Sequence, residues 1–320
     1  MQSAEFPKYP TIRDLGGHIV DLIRYPDEKD PKWSAFNPSI GFNGKSVYAT
    51  MIRSSNYVIT PDGEYKTTIY NEFRNRTYYS ELNNDLTLKK LRRVDYDGLN
   101  IAFRREPEDG KLFYRDGWYF TCVVMEKDIY GPAARVGVAK LNTRTNKVDD
   151  FKVLPGQSPE RPEKNWMIPY EPSPNFDWVY GANRVLVGGT LNTWMVEKSE
   201  VDKLRGSSNL IQDPENEDGY LGLMHRTFFS EVNPIVGTTF GSKRIQIRNY
   251  VHYFVRFDKN GYIDAVSEGF QFYKPGVEFG AGMVIRGKDV LVSFGRNDVS
   301  SHIAVLPLDT VLKSLNPVEY

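Results

Sequence analysis

The fold is decided by the stretch Glu108-Asp109-Gly110-Lys111-Leu112-Phe113-Tyr114-Arg115-Asp116-Gly117-Trp118-Tyr119. It starts with two acidic residues, continues as a short apolar run, turns at Asp-Gly and enters a second, aromatic-rich run. Aromatic residues favour strands, and Asp-Gly between two such runs is typical of a hairpin turn. The stretch therefore predicts a β-hairpin with polar residues at the start of its first strand.

The same order of features recurs at four other places in the chain. Taking Pro38, Glu108, Lys164, Ser207 and Glu278 as the starts, the spacings are 70, 56, 43 and 71 residues. Such intervals fit four-stranded units with loops of variable length, and radial repetition of these units makes a β-propeller. The sequence predicts an all-β, five-bladed propeller at residues 36–315, with an N-terminal segment, 1–35, packed on it and a tail, 316–320. A β-sandwich is the alternative that could mimic part of this pattern.

Helical periodicity is scarce. Short helices are predicted at residues 12–23, 198–203 and 308–315. Hairpin turns are predicted where Asn-Gly or Asp-Gly separates two strand-like runs, at residues 43–44, 62–63, 116–117 and 260–261.

Composition limits the class of protein. The 320 residues carry 41 basic and 41 acidic side chains, so bulk charge does not indicate a nucleic-acid groove or a membrane surface. The single cysteine, Cys122, excludes an internal disulfide framework and a thiolate metal cluster. We see neither a signal peptide nor an apolar run long enough to span a bilayer, and we expect a cytoplasmic protein. No metal or cofactor is expected, because metal-ligand spacings and a Gly-rich phosphate loop are both missing.

Propeller geometry predicts which polar residues meet. The innermost strand of each blade lines the central axis, so residues at the strand starts converge although they are distant in sequence. These residues are Asn37, Glu108, Asp109, Glu163, Lys164, Ser207, Ser208 and Glu278. Residues at the ends of the second strands are expected to form a rim or a second layer, namely Arg53, His225, Arg226, Asn297 and Asp298.

The motifs resemble those of glycoside hydrolase family 130, the β-mannoside phosphorylases, and of related β-mannosyltransferases, over residues 36–315. The Glu-Asp-Pro-Arg motif of that family is matched by Glu108-Asp109-Gly110-Lys111, and its Pro-Glu-Lys segment by Pro162-Glu163-Lys164. A strand ending in histidine is matched by residues 221–225, and the closing motif by residues 294–298. The resemblance implies a five-bladed propeller that acts on glycosides.

The resemblance also implies roles for individual residues. Asp109 corresponds to the proton-transferring carboxylate, and Asp298 is the second candidate. A phosphate or diphosphate would be held by cations at corresponding blade positions, with His225 assisting, and these are Arg53, Lys111, Lys164, Arg226 and Arg296. Glu108, Glu163, Ser208 and Glu278 are candidates for contacts with the substrate, and Trp166 for stacking on a sugar. Asn37 occupies the position of the base in related hydrolases, which disfavours ordinary hydrolysis because an amide cannot accept the proton.

The sequence thus predicts an enzyme that transfers a glycosyl group, with one aspartate as general acid or base. Its partners would be a sugar donor, either a sugar nucleotide or a sugar phosphate, and a glycosyl acceptor. A nucleic-acid acceptor is a further alternative, because residues 243–248 form a basic stretch. The alternative from a different class is a non-catalytic carbohydrate-binding or interaction propeller. The sugar, the acceptor and the oligomeric state stay open.

Overall fold

The computed structural model describes residues 7–27, 29–60, 64–97, 99, 106–128, 131–155, 157, 162–180, 184–188, 190–193, 200–232 and 245–318. The first twelve strands are β1 (His18–Ile23), β2 (Ser34–Phe42), β3 (Tyr48–Ser55), β4 (Tyr57–Ile59), β5 (Tyr65–Thr67), β6 (Asn75–Glu81), β7 (Arg92–Arg93), β8 (Glu108–Tyr114), β9 (Trp118–Asp128), β10 (Gly131–Asn142), β11 (Lys147–Val153) and β12 (Trp178–Val179). The others are β13 (Arg184–Val187), β14 (Thr190–Thr193), β15 (Arg205–Gly206), β16 (Ile211–Asp213), β17 (Asn216–Val232), β18 (Ile245–Phe257), β19 (Ile263–Val266), β20 (Glu278–Arg286), β21 (Asp289–Arg296), β22 (Ser300–Pro307) and β23 (Asn316–Pro317). One α-helix, α1 (Leu308–Lys313), and a 3-10 turn, Glu200–Lys203, complete the described elements.

The strands form antiparallel sheets in the arrangement of a β-propeller. Three sheets have four strands, in the orders β2-β3-β6-β7, β11-β10-β9-β8 and β1-β22-β21-β20. A six-stranded sheet has the order β15-β17-β18-β19-β23, with β16 also paired to β17. A three-stranded sheet, β12-β13-β14, and a two-stranded sheet, β4-β5, complete the set among the described residues.

The all-β propeller class is confirmed, but the predicted count of five blades is not, since four blades are detected. The third predicted unit forms only the three-stranded sheet, and its inner segment contributes an isolated bridge between Met167 and Val179. Pro162 and Pro169 flank this segment. Because proline cannot donate a hydrogen bond to a strand ladder, the segment does not form a regular inner strand.

Neighbouring sheets are held together by buried serine hydroxyls. The Ser39 Oγ on β2 accepts a hydrogen bond from the Leu112 amide on β8 at 2.9 Å. The Ser293 Oγ on β21 accepts one from the Ile40 amide on β2, also at 2.9 Å. Gly282 allows the close approach of β20 to β2, because a Cβ there would lie 2.4 Å from the Ile40 nitrogen. These contacts fix the positions of the strand starts, and hence of the polar residues that precede them.

The hydrophobic core lies between the sheets. Phe272 and Phe294 are buried and stack with ring centroids 3.9 Å apart, and Phe254 and Phe270 stack beside them at 4.8 Å. Cys122 is a free, buried thiol within a separate apolar cluster around β9. The abundance of aromatic residues is thus largely used for packing between sheets.

The predicted local structure is confirmed in part. Helix α1 and the turns at 43–44, 116–117 and 260–261 lie where the sequence indicates, whereas residues 62–63 and 198–199 are outside the described residues. The helix predicted at residues 12–23 is wrong, because His18–Ile23 pairs with β22 as an edge strand. Sheet pairing overrides weak helical periodicity there. Among the residues that the structure describes, no helix combines the length and apolar character that crossing a membrane requires.

Candidate active site

A cavity of about 390 Å³ lies where the inner strands begin. Seven of the residues predicted for the site line it, namely Asn37, Arg53, Glu108, Asp109, Lys164, His225 and Asp298. They come from four different sheets and from the segment before β12, so the convergence expected for a propeller holds for these seven side chains.

Three of the polar residues that line the cavity have a left-handed backbone conformation, and two of them lie at strand bulges. Asn37, Asp109 and Asn165 have φ angles of 47°, 49° and 61°, and all three line the cavity. The strand register shifts between Phe36 and Ser39 and again between Glu108 and Lys111, as expected for a bulge. Asparagine and aspartate tolerate this left-handed conformation better than other non-glycine residues. The left-handed conformation recurs at the polar residues of three predicted units. Because this conformation is strained for a residue other than glycine, its recurrence indicates a functional site.

Asp298 reaches the same cavity from a hairpin turn. Asn297 and Asp298 both have positive φ angles, 50° and 52°, and the Val299 amide donates a hydrogen bond to the Arg296 carbonyl at 3.0 Å. Two central residues with positive φ are the requirement of a type I′ turn, which suits a tight link between β21 and β22.

Arg53 forms ion pairs with two of the carboxylates that line the cavity. It is buried and contacts the carboxylates of Asp109 at 3.1 Å and of Glu108 at 3.3 Å. Its Nε also donates a hydrogen bond to the Asn75 Oδ1 at 3.1 Å. Two carboxylates therefore neutralise Arg53, and its charge is not free to hold a further anion.

Asp109 is held in its ionised form. Its Oδ1 accepts hydrogen bonds from the Asn37 amide at 2.9 Å and from Arg53 at 3.1 Å. Burial by itself would raise the pKa of Asp109, but Arg53, the Asn37 hydrogen bond and Lys164 together hold it below its ordinary value. The Oδ1 of Asn37 is left without a hydrogen-bond partner among the described residues, although the side chain is nine-tenths buried.

Asp298 has the opposite electrostatic character. Burial raises the pKa of Asp298 to about 6, although Arg53 and a hydrogen bond from the Tyr57 hydroxyl favour its ionised form. The Tyr57 hydroxyl lies 2.9 Å from the Asp298 Oδ2. The repulsion from Asp109 and Glu108 also raises this pKa. Asp298 can therefore gain or lose a proton near neutral pH, whereas Asp109 cannot.

His225 contributes a neutral imidazole. Its Nδ1 lies 2.8 Å from the Ser207 Oγ, and its ring packs against Tyr250 and Phe279. Burial, with smaller contributions from Lys111 and Arg205, lowers the pKa of His225 to about 3. At physiological pH, His225 can exchange hydrogen bonds with a ligand but adds no positive charge to the cavity.

Five other residues predicted for the site are buried and do not line the cavity, namely Lys111, Glu163, Trp166, Ser208 and Glu278. The Lys111 ammonium donates a hydrogen bond to the Trp166 carbonyl at 3.1 Å, and burial lowers the pKa of Lys111 to about 7. The Trp166 indole donates to Glu163 at 3.3 Å. The Glu278 carboxylate accepts hydrogen bonds from the amides of residues 272–274. Each of these side chains supports the backbone around the cavity.

Arg226 and Arg296 lie outside the cavity lining. Arg226 is next to His225 on β17, and successive residues of a strand face opposite sides. Its guanidinium lies 4.4 Å from the ring centroid of Phe228. The Arg296 guanidinium lies 4.8 Å from the Tyr273 ring centroid. Neither is brought together with Lys164, so the predicted set of phosphate-binding cations does not assemble as a group.

Nine residues that line the cavity were not among the predicted site residues, namely Tyr57, Tyr65, Phe73, Met125, Asn165, Arg248, Tyr250, Val277 and Phe279. Arg248 had been noted only as the end of the basic stretch at residues 243–248, of which residues 243–244 lie outside the described residues. Tyr57, Tyr65 and Phe73 come from the β4-β5 hairpin and the segment after it, and Arg248 and Tyr250 from the extended part of β18. Both regions have no counterpart in the repeated unit. The available signals that they reach the cavity were their extra length and, for Arg248, the basic stretch at residues 243–248.

Candidate metal ligands were searched for among the residues that the structure describes. They contain no group of three or more histidine, cysteine, aspartate or glutamate side chains placed to hold an ion.

Comparison with known proteins gives a match in structure alone. No protein-family model and no curated protein matches the chain. The fold is similar to that of a β-1,2-mannobiose phosphorylase from Listeria innocua, with a TM-score of 0.54, 11% identity, and 93% of this chain and 99% of that chain covered. A glycosyl hydrolase from Bacteroides ovatus gives a TM-score of 0.54, 12% identity and 100% coverage of both chains. A mannose phosphorylase from Leishmania mexicana, in complex with phosphate ion, gives a TM-score of 0.53, 11% identity, and 95% and 93% coverage. The resemblance predicted from the sequence is thus confirmed for the fold.

Proposed function

We propose that the protein transfers a glycosyl group, in the central cavity, from a donor with a phosphate-containing leaving group to an acceptor hydroxyl. The observation that carries this proposal is the pair Asp109 and Asp298. Both line one cavity, and their pKa values are displaced in opposite directions. In glycoside chemistry, two carboxyl groups often have different pKa values because their surroundings differ. One then transfers a proton, and the other stays ionised and stabilises charge.

Asp298 acts as the general base. With a pKa of about 6, it is ionised at neutral pH and still basic enough to accept a proton from a hydroxyl that is attacking. The acceptor oxygen forms a bond to the anomeric carbon, and its proton passes to Asp298. The bond between the anomeric carbon and the leaving oxygen breaks, and the phosphate group departs with the electron pair. Asp109 stays ionised and stabilises the positive charge that develops on the sugar.

The leaving group lies at the cavity mouth, near Lys164 and Arg248. Both side chains are exposed and line the cavity, and neither forms an ion pair with another described residue. Arg53 cannot take this role because Glu108 and Asp109 already neutralise it. Two of the structurally similar proteins are phosphorylases of mannosides or mannose, which agrees with a sugar attached to phosphate.

The charged lining favours an enzyme over a non-catalytic carbohydrate-binding propeller. An interaction propeller would be expected to have a filled or apolar axis, whereas Asp109 lies in this cavity with Arg53 and Lys164.

We also assign the β12-β13-β14 sheet as a fifth blade, because the bridge between Met167 and Val179 gives it a rudimentary inner strand.

Release of the leaving group tests the proposal. The purified protein is incubated with a panel of sugar 1-phosphates and sugar nucleotides, with and without mono- and disaccharide acceptors, and free phosphate or nucleoside diphosphate is measured. We expect acceptor-dependent release with one donor, and a decrease in kcat of about 10²- to 10⁴-fold in Asp298→Asn. The matched control is Asp309→Asn, which removes an exposed carboxylate on α1. Donor binding without release in the wild type would instead support the binding propeller.

A further inference from the structure

Arg248 stands out at the cavity mouth because its charge is available. Its only hydrogen bond to a described residue runs from Nη1 to the Tyr65 hydroxyl, at 3.3 Å. It forms no ion pair with any carboxylate in the described part of the chain. Lys164, the other exposed cation of the lining, comes from the segment before β12. An uncompensated guanidinium suits recognition of phosphate oxygens, and a neutral sugar would not need it.

Two exposed aromatic rings flank Arg248. Tyr65, on the β4-β5 hairpin, is 41% exposed, and its ring centroid lies 5.9 Å from the Arg248 guanidinium carbon. Phe229 is 57% exposed and lies directly opposite Arg248 in the β17-β18 pair, so the two side chains project from the same face. Two exposed aromatic rings next to a cation offer faces on which a flat ring can stack, with a charge in reach of an attached phosphate.

From this juxtaposition we infer an outer subsite for a nucleotide, made by Tyr65, Phe229 and Arg248, with Lys164 as the other exposed cation of the cavity lining. The nucleobase stacks on an exposed ring, and the phosphates lie between the two cations. Stacking of bases on aromatic side chains next to cationic groups is the general mode of nucleotide recognition without base-specific hydrogen bonds. The inference rests on the proposed function, because the cavity below then holds the sugar.

The nucleotide could come from two sources that share this chemistry. A nucleoside diphosphate sugar places its diphosphate between the cations and its base on Tyr65. A single-stranded nucleic acid places successive bases along the rings and its backbone on the cations. The second source would make the nucleic acid the acceptor, and its binding would weaken steeply with salt.

Binding measured by calorimetry tests the subsite without any need for catalysis. The probes are inorganic pyrophosphate, four nucleoside diphosphates, and a single-stranded oligothymidylate of about 15 nucleotides, near the upper end of typical single-strand site sizes. We expect at least one nucleoside diphosphate to bind about 5- to 100-fold more tightly than pyrophosphate, and Tyr65→Leu to remove most of that difference. Tyr65→Phe should keep it, since the ring remains. Arg248→Gln should weaken both ligands.

The matched control is Arg226→Gln, which removes a cation from the opposite face of the same hairpin and should leave both affinities unchanged. Circular dichroism verifies that each variant is folded.

Tighter binding of the oligonucleotide than of the nucleoside diphosphates identifies a single-stranded nucleic acid as the source, and the reverse identifies a free nucleotide. Equal affinity for pyrophosphate and all nucleotides, or full binding by Tyr65→Leu, overturns the inference. Intact nucleotide binding without any transfer refutes the proposed function alone, and transfer without a contribution from the rings refutes the subsite alone.

Discussion

Replacing Asp298 with asparagine should raise the free energy of unfolding near neutral pH. A carboxyl group whose pKa is raised by folding binds its proton more tightly in the folded protein than in the unfolded chain. The folded protein is therefore favoured at low pH and loses this advantage as pH rises from the unfolded pKa of about 3.9 to the folded pKa of about 6. Above this range, the buried carboxylate is a net cost that asparagine does not have.

The size of this cost follows from the pKa of Asp298. A difference of roughly two pKa units corresponds to about 3 kcal/mol at pH 7.5, and to about 1 kcal/mol at pH 4.5, where the folded carboxyl is protonated. The gain from Asp298→Asn should thus fall by about 2 kcal/mol between these two pH values. The pH-dependent part is the diagnostic quantity, because other effects of the substitution change little with pH.

Asparagine fits the position in two further respects. Its side-chain oxygen can still accept the hydrogen bond from the Tyr57 hydroxyl. It also tolerates the φ angle of 52° at this position. Alanine meets neither requirement, so Asp298→Ala is a useful comparison that should be less stable than Asp298→Asn by about 1–2 kcal/mol.

Urea denaturation of wild type and both variants at the two pH values gives these free energies. Equal stabilisation by Asp298→Asn at both pH values would show that the folded carboxyl titrates normally, and the assignment of Asp298 as the base would then fail. Stabilisation together with loss of transfer is the expected combination, since functional sites commonly keep groups that are unfavourable for stability.

Three other outcomes are expected. The rate of transfer should rise with pH through about pH 6, because Asp298 must be ionised to accept a proton; a rate that falls there in a pH-rate profile would assign it as an acid. Lys111→Met should raise the urea midpoint more at pH 6 than at pH 9. The pKa of Lys111 is lowered to about 7, so wild-type stability rises above that pH, as the folded amine loses a proton that the unfolded chain keeps. Gly282→Ala should lower the free energy of unfolding by about 1–3 kcal/mol, because its Cβ would meet the Ile40 nitrogen, whereas Gly117→Ala, with no contact closer than 3.5 Å, should cost less.

Local patterns predicted some of the residues that line the cavity. Polar residues before apolar strands placed Asn37, Glu108, Asp109 and Lys164 at one site, and the structure brings them together. Local patterns could not separate Lys111 from Lys164, since each is a lysine close to the start of a predicted inner strand. Lys111 follows a bulge and is buried against Trp166, whereas Lys164 is exposed at the mouth. Side-chain direction after a bulge depends on backbone angles that no residue type specifies.

The sequence alone determined the all-β propeller class and four of the polar residues that line the cavity, because hairpin turns and strand periodicity are local properties. Tertiary structure decided the electrostatics of the site. Asp109 and Asp298 are both aspartates in turn-like sequence contexts, and only burial and the position of Arg53 make one permanently ionised and the other titratable near neutral pH. It also decided that Tyr65 and Arg248, 183 residues apart, form a hydrogen bond in the cavity lining. Such contacts depend on how separate blades pack around the axis, and no short stretch of sequence contains that information.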